Sequence, residues 1–195
     1  QLRQATEDMR RATGNQQQGQ GGEAEARRAA ERLNEARDML SGMRRQEAGD
    51  RMEDLARRAD NLANTQQELT QKIKQAYGGR SPVQGAPTDR KQNEQLAGER
   101  QRQMEELQRL EKQIQDAIRD MAGSEPAAAS KLREALGNLQ QNELGLRMKY
   151  SAEWIRRGLG AYSAMREGTI NNSLERLREQ VKEAQQRMAG NGGKQ

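Results

Sequence analysis

The chain has 195 residues, of which 32% are hydrophobic, 32% are charged and 2% are aromatic, and it contains neither Cys nor His. This composition excludes disulfide scaffolds, zinc and haem sites, and thiol or histidine catalysis. It also excludes a thick sandwich or barrel core, which needs aromatic and β-branched residues. The net charge of +5 combines 34 cations with 29 anions, so the positive excess is too thin for the dense basic stripe of a dedicated nucleic-acid surface.

Glycine- and proline-containing breaks divide the chain into segments in which apolar residues recur at intervals of three and four. This is the a/d heptad pattern of helices that pack at shallow angles. We therefore predict an all-α fold, an elongated antiparallel helical bundle built from coiled-coil hairpins. The predicted elements are a helix at 1–13 that continues from an upstream region, a flexible Gln/Gly linker at 14–22, a helical hairpin at 23–77, a Pro/Gly linker at 78–87, a long helical hairpin at 88–167, a C-terminal helix at 168–189 and a flexible tail at 190–195.

The first hairpin is predicted from a break in the apolar pattern near Gly49. The pattern that ends at Met43 would require apolar residues at positions 47 and 50, which are Glu47 and Asp50. It restarts two residues out of phase at position 52. A phase break beside glycine favours a turn at 46–50, so that 23–46 and 50–77 fold back on each other.

Capping residues support several of the predicted ends. Asp89 precedes the second hairpin, and Pro126 stands where the first turn of its second helix would begin. Asn171, Asn172 and Ser173 are predicted to cap the C-terminal helix. Gln66 and Glu111 interrupt the apolar seams, and we expect them to fix helix register or to face solvent rather than to perform chemistry.

The region 144–165 differs from the rest of the chain because it holds the only Trp and two of the three Tyr. Tyr150 and Trp154 are four residues apart and should stack on one helix face. Glycines inside this helix, at 145, 158 and 160, cost about 1 kcal/mol each relative to Ala and suggest the close approach of another backbone.

Two interpretations of this region stay open. It is either a central helix that packs on several neighbours, or a surface that docks a partner with Trp154 as its anchor and Arg147 at its rim. The candidate docking residues are Tyr150, Trp154, Arg156, Arg157 and Tyr162.

Paired arginines recur along the chain, at 10–11, 27–28, 44–45, 57–58 and 156–157. Most have a carboxylate within one helical turn, so a solvated, salt-bridged helix face is favoured over phosphate binding. Adjacent carboxylates such as Glu53 and Asp54 point to different sides of a helix and do not form an acid–base pair. We predict no catalytic residue, no cofactor and no metal site.

The Ala/Gln/Arg-rich heptads and Gln/Gly linkers resemble the helical part of a group of large, uncharacterised bacterial proteins that are anchored in the inner membrane near their N-terminus. The matching stretches are 1–12, 23–43 with its Ala-Arg-Arg-Ala-Ala-Glu-Arg-Leu run, and 131–162 with Lys-Tyr-Ser-Ala-Glu-Trp-Ile-Arg-Arg. The resemblance implies a periplasmic or envelope location, no known enzymatic activity, and membrane segments upstream of Gln1. The sequence itself leaves a cytoplasmic location open.

Two functional hypotheses follow from these patterns. The first is a non-enzymatic structural or interaction module of a larger envelope protein, which contacts itself as a homo-oligomer or binds another protein through its helices. The alternative is an electrostatic binder of nucleic acid or an anionic membrane surface through Arg-rich helix faces. Scarce aromatic residues weigh against single-stranded nucleic acid, and membrane attachment is expected only through upstream segments.

Overall fold

The computed structural model describes residues 21–79 and 89–191. They form five helices: α1 Gly21–Tyr77, α2 Arg90–Met121, α3 Pro126–Gln141, α4 Leu144–Arg156 and α5 Gly160–Asn191. These two ranges contain no strand, which confirms the predicted all-α class. The predicted helix at 1–13, and the parts of the predicted linkers and tail at 14–20, 80–87 and 192–195, lie outside the described residues.

The chain divides into two compact units, residues 1–47 and residues 48–195. In the described part of the first unit, Ala29 and Ala36 are buried. Met39, Leu40 and Met43 are exposed there, so this unit presents a short apolar strip on its helix.

Helix α1 runs without interruption through Gly49, so the predicted hairpin at 23–77 with a turn at 46–50 is wrong. A glycine inside a helix costs only about 1 kcal/mol relative to Ala, and Ala48, Arg51 and Met52 beside it favour helix. A phase break in the apolar pattern changes which helix face is buried, and it does not require the backbone to turn.

The core of the second unit follows the heptad spacing closely. The predicted seam of α1 is buried at Met52, Leu55, Ala59, Leu62, Gln66, Leu69 and Ile73. The buried face of α2 has the same period, but it includes three polar residues that the sequence analysis did not assign to it: Asn93, Arg100 and Gln103. Its other buried positions are Leu96, Ala97, Leu107, Leu110, Ile114, Ala117 and Met121.

Contacts between side chains set the direction of neighbouring helices in this unit. Arg51 of α1 pairs with Asp120 of α2, whereas Lys72 pairs with Glu99 at 2.8 Å. From the first pair to the second, the residue number rises in α1 and falls in α2, so these segments of the two helices run antiparallel. Helices α3 and α5 are joined by Lys131 and Glu183 at 2.8 Å.

Two of the predicted helix starts are confirmed. The side chain of Asp89 accepts a hydrogen bond of 3.0 Å from the backbone N–H of Lys91, as an N-cap does. Pro126 is the first residue of α3, where its missing N–H leaves no intrahelical bond unmade.

The helical segments after Pro126 differ from the prediction. The helix is interrupted near Glu143, which has a φ of 49°, and again at Arg157–Leu159. Helix α5 then continues through 168–172, so Asn171, Asn172 and Ser173 lie inside it and the predicted helix start at 168 is wrong. The reason is a seam that stays in phase across this stretch, with Ser163, Glu167, Ile170, Leu174, Leu177, Val181 and Ala184 all buried.

The turn between α4 and α5 is a Schellman motif centred on Gly158. The N–H of Gly158 bonds to the carbonyl of Ile155 at 3.0 Å, and the N–H of Leu159 bonds to the carbonyl of Trp154 at 2.8 Å. Gly158 has a φ of 75°, which a residue with a Cβ adopts only with strain. This turn folds α5 back along α4.

The glycines of this region differ in whether their surroundings leave room for a side chain. A Cβ added at Gly160 would clash with the ring of Tyr77, whereas one at Gly145 would meet nothing within 4 Å. The expected close approach therefore occurs at Gly160, where it involves a side chain rather than a backbone.

Candidate functional site

The candidate site is an exposed aromatic surface formed by Leu146, Tyr150 and Trp154 of α4 and Tyr162 and Arg166 of α5. The rings of Tyr150 and Trp154 are stacked, with centroids 6.0 Å apart and planes at 23°. The ring of Tyr162 is tilted by 41° against that of Trp154, with centroids 6.3 Å apart. The predicted stacking of Tyr150 on Trp154 is confirmed, and the fold adds Tyr162 to the pair.

Much of this apolar surface remains open to solvent. Relative exposure is 43% for Leu146, 45% for Tyr150 and 38% for Tyr162, while Trp154 is half-buried between its neighbours. Met165, next to the surface on α5, is 76% exposed. Large apolar side chains that cluster in the open are typical of interaction surfaces.

The same helix also packs into the core through its opposite face. Leu144, Met148 and Ile155 are fully buried. Helix α4 is therefore both a packed core element and the carrier of an exposed face, and the two interpretations from the sequence are compatible.

The arginines lie partly where the sequence placed them. Arg147 is exposed beside the aromatic surface and donates a hydrogen bond of 2.7 Å to the carbonyl of Asn142. Arg156 and Arg157 are exposed at the C-terminal end of α4. The guanidinium that lies over Trp154 belongs instead to Arg166, whose Cζ is 4.6 Å from the ring centroid.

Sequence reasoning missed Arg166 because Trp154 and Arg166 are twelve residues apart. They meet only because the chain reverses at Gly158. The left-handed conformation that glycine favours after a helix was the available signal, and it was interpreted as a glycine inside a continuous helix.

A second feature, missed by the sequence analysis, is a buried polar layer that crosses the second unit. Arg100 and Glu167 form its centre as an ion pair in which both side chains have 0% exposure. The remaining members surround this pair and come from four of the helices, α1, α2, α4 and α5: Gln66, Thr70, Gln103, Ser151 and Ser163. In each helix that contributes, the layer lies between a larger and a smaller apolar cluster.

The polar groups of this layer satisfy one another. Arg100 uses four of its five N–H groups, which donate to Ser151, Gln66, Gln103 and Glu167. Glu167 also accepts from Gln66 at 2.8 Å, while the hydroxyl of Ser163 donates to its other oxygen at 2.9 Å. A satisfied network of this kind stabilises one specific arrangement of the helices.

The electrostatics of the layer follow from its burial. Burial lowers the pKa of Arg100, and the adjacent carboxylate of Glu167 opposes that shift by its charge and its hydrogen bond. The central pair of Arg100 and Glu167 has no exposed side-chain surface, whereas Gln103 lines the groove between α1 and α2, and Ser151 lines the groove between α4 and α5. Of the two polar seam residues in the prediction, Gln66 belongs to this layer, and Glu111 is half-buried with a pKa that burial raises.

A charged groove of about 540 Å³ lies between α1 and α2. On its α1 side, Asp54 accepts hydrogen bonds from Arg57 at 2.5 Å and from Arg58 at 2.7 Å. The bond from Arg58 is the main reason why the pKa of Asp54 lies below its usual value. The prediction of a salt-bridged helix face is therefore confirmed for this arginine pair.

Within residues 21–79 and 89–191, no group of three or more acidic side chains is arranged to hold a metal ion. None of the helices in the same ranges is long and apolar enough to cross a membrane. Comparison with known protein families, curated proteins and solved structures finds no match to this chain.

Proposed function

We propose that the chain is a non-enzymatic structural and interaction module of a larger bacterial envelope protein, which works through helix contacts with itself or with a protein partner. The exposed aromatic surface of α4 and α5 is the observation that carries this proposal. The envelope location rests on the sequence resemblance alone.

The composition of the surface supports a docking role. Trp, Tyr and Arg are the residues most enriched among those that dominate binding energy at protein interfaces. Here Trp154 is flanked by Tyr150 and Tyr162, with the guanidinium of Arg166 over its ring. A half-buried anchor held by neighbouring rings loses little conformational freedom when a partner covers it.

The most polar part of the interior does not compete with this proposal. The ion pair of Arg100 and Glu167 is sealed from solvent and its hydrogen-bonding groups are already used within the layer. Such an arrangement suits a structural role for the layer, which leaves the exposed faces as the surfaces open to a partner.

The first unit offers a second surface for contact. Met39, Leu40 and Met43 are exposed, and two of them, Leu40 and Met43, belong to the heptad seam predicted for this helix. Exposed seam residues are the usual contact points between two helices of a coiled coil. This strip supports contact between copies of the chain.

Sedimentation equilibrium of the full chain, at about 1 to 100 µM, tests contact between copies. One variant carries Tyr150→Ser, Trp154→Ser and Tyr162→Ser, and a second carries Met39→Ser, Leu40→Ser and Met43→Ser. We expect the wild-type mass to rise with concentration and one triple variant to weaken that rise by roughly tenfold or more. Each variant is the control for the other, and a wild-type chain that remains monomeric excludes self-contact.

An electrostatic binder of nucleic acid or an anionic membrane surface is the second candidate. It is favoured by Arg156 and Arg157, which are exposed and, within the described ranges, have no carboxylate at ion-pair distance. Binding of duplex DNA or anionic vesicles that ignores sequence and falls steeply with salt would support it. The absence of binding at about 50 mM salt would remove it.

A further inference from the structure

We propose that the groove between α4 and α5 binds an acidic helical segment of a partner protein, with an apolar side chain of that segment against Trp154. This inference rests on the proposed function and specifies the chemistry of the partner. The groove has a volume of about 320 Å³, and its lining includes Leu146, Arg147, Tyr150, Trp154, Arg166 and Ile170. The lining is therefore mainly apolar and aromatic, with two cations, Arg147 and Arg166, and one carboxylate, Glu143.

The charge around the groove is distinctly positive. From Glu143 to Arg166 the chain carries five cations and two carboxylates, and so a net charge of +3, whereas the entire chain has +5. The cations are Arg147, Lys149, Arg156, Arg157 and Arg166.

These cations differ from many others in the second unit because their charge is not neutralised locally. In the part of the chain that the structure describes, none of them belongs to an ion pair. By contrast, Lys131 pairs with Glu134 at 2.9 Å and with Glu183 at 2.8 Å. Charge complementarity therefore favours a partner that brings carboxylates to this surface.

The shape of the site favours a protein segment over a lipid bilayer. Trp154 is half-buried in a concave groove, with the stacked ring of Tyr150 and the guanidinium of Arg166 against it. An inserted side chain would contact the part of the indole that these groups leave uncovered. Insertion into a bilayer interface would instead require the indole to project outward.

A groove between two helices accepts the ridge of a third helix, which is the usual mode for amphipathic helical segments. In that mode an apolar residue of the segment contacts Trp154. Glutamates one turn before and after it would lie near Arg147 and Arg166, on opposite sides of the groove.

The test is a titration of the full chain with two synthetic peptides of about 15 residues, both without Trp or Tyr. Each carries one Leu at position i on an Ala-rich helix; one peptide has Glu at positions i−4 and i+4, and the other has Lys at the same two positions. Trp154 is the only Trp in the chain, so its emission reports on the groove directly. We expect the Glu peptide to bind at least roughly tenfold more tightly than the Lys peptide at about 50 mM salt, and to weaken as salt rises.

A matched pair of variants assigns the binding to this groove. Arg147→Gln with Arg166→Gln should weaken the Glu peptide by roughly tenfold or more. Arg133→Gln with Arg176→Gln removes the same charge at exposed positions on α3 and α5 and should leave binding within about twofold. A dye on the peptide, read by anisotropy, checks the result independently of any change in Trp154 emission.

Three results would overturn the inference: equal affinity for both peptides, no binding of the Glu peptide, or binding of phosphatidylglycerol vesicles without binding of the Glu peptide. Failure here is distinct from failure of the proposed function. Self-contact is measured by sedimentation without any peptide, and a titration that fails removes only the acidic helical partner.

Discussion

Arg100 and Glu167 form an ion pair in the interior of the second unit, with both side chains fully buried. They lie 67 residues apart in sequence, on α2 and α5, and each occupies a seam position of its helix. Side chains from α1 and α4 complete their hydrogen bonding. Four helix segments therefore meet at this polar layer. Its hydrogen bonds can form only when the four helices are aligned in one register.

Removing one partner of this pair should be strongly destabilising. Arg100→Met leaves Glu167 as an uncompensated buried charge, and we expect a loss of about 3–5 kcal/mol in the free energy of unfolding. The double variant Arg100→Met with Glu167→Met should lose much less than the sum of the two single changes, because it leaves no charge behind. Urea unfolding followed by circular dichroism measures all three variants.

The exposed pair of Arg90 and Glu94 on α2 provides the reference for this comparison, with side-chain exposures of 92% and 63%. Arg90→Met should change the unfolding free energy by no more than about 1 kcal/mol. If Arg100→Met were equally mild, the buried layer would not be formed as described.

Gly160 should not tolerate a larger side chain. A Cβ at this position would collide with the ring of Tyr77, so Gly160→Ala should cost about 1–3 kcal/mol. Gly168→Ala in the same helix is the matched control, because a Cβ there meets nothing within 4 Å, and it should stabilise the chain by about 0.5–1 kcal/mol. Thermal unfolding of the two variants would contradict this packing if both shifted in the same direction by the same amount.

Substitutions at Gly49 distinguish a continuous α1 from a hairpin. In a continuous helix, Gly49→Ala should stabilise by about 0.5–1 kcal/mol, whereas Gly49→Pro should cost about 3 kcal/mol and reduce the helical signal in circular dichroism. A turn at 46–50 would give the reverse order, with proline tolerated and alanine no better than glycine.

The apolar seams could be predicted from sequence because leucine, isoleucine and alanine at heptad spacing mark the buried face of a helix within that helix alone. The buried positions from Met52 to Ile73 and from Leu174 to Ala184 followed that pattern. The polar layer could not be found in the same way, since Arg100 and Glu167 are charged residues that an apolar pattern does not mark as buried. Each of the two charges can be buried only because the other neutralises it. Since they lie on different helices, the residue pattern of one helix cannot reveal the pair.

In the candidate site, too, contacts within one helix could be predicted from sequence and contacts between helices could not. The contact of Tyr150 with Trp154 follows from a spacing of four residues on one helix. The contacts of Tyr162 and Arg166 with Trp154 require the chain reversal at Gly158, which belongs to tertiary structure. The helix start predicted at 168 is absent because Glu167 and Ile170 keep this stretch in the packed seam of α5.

Glu111 should make stability depend on pH. Burial raises its pKa, so the folded state binds this proton more tightly than the unfolded chain. The resulting stabilisation is complete below the unfolded value of about 4.3 and is lost as the pH rises through the higher folded value.

Glu111→Gln removes the ionised form and should therefore stabilise the chain at pH 7 relative to wild type. We expect a modest gain, because the side chain is only half-buried and solvent screens its charge. Below about pH 4 the Glu111 side chain is protonated and neutral, as glutamine is at every pH. The difference in unfolding free energy between wild type and Glu111→Gln should therefore shrink there. Urea unfolding between these pH values checks this, and a difference that stays constant across the range would contradict the burial of Glu111.

The claim that the aromatic surface docks a protein is tested most directly by photo-crosslinking in cells that produce the chain. A photoreactive phenylalanine analogue replaces Tyr150 in the aromatic surface or, as the control, the exposed Arg133 on α3. We expect a protein adduct at position 150 that is lost when Trp154→Ser and Tyr162→Ser are added, and no such adduct at position 133. Equal adducts at both positions, or none at position 150, would contradict it.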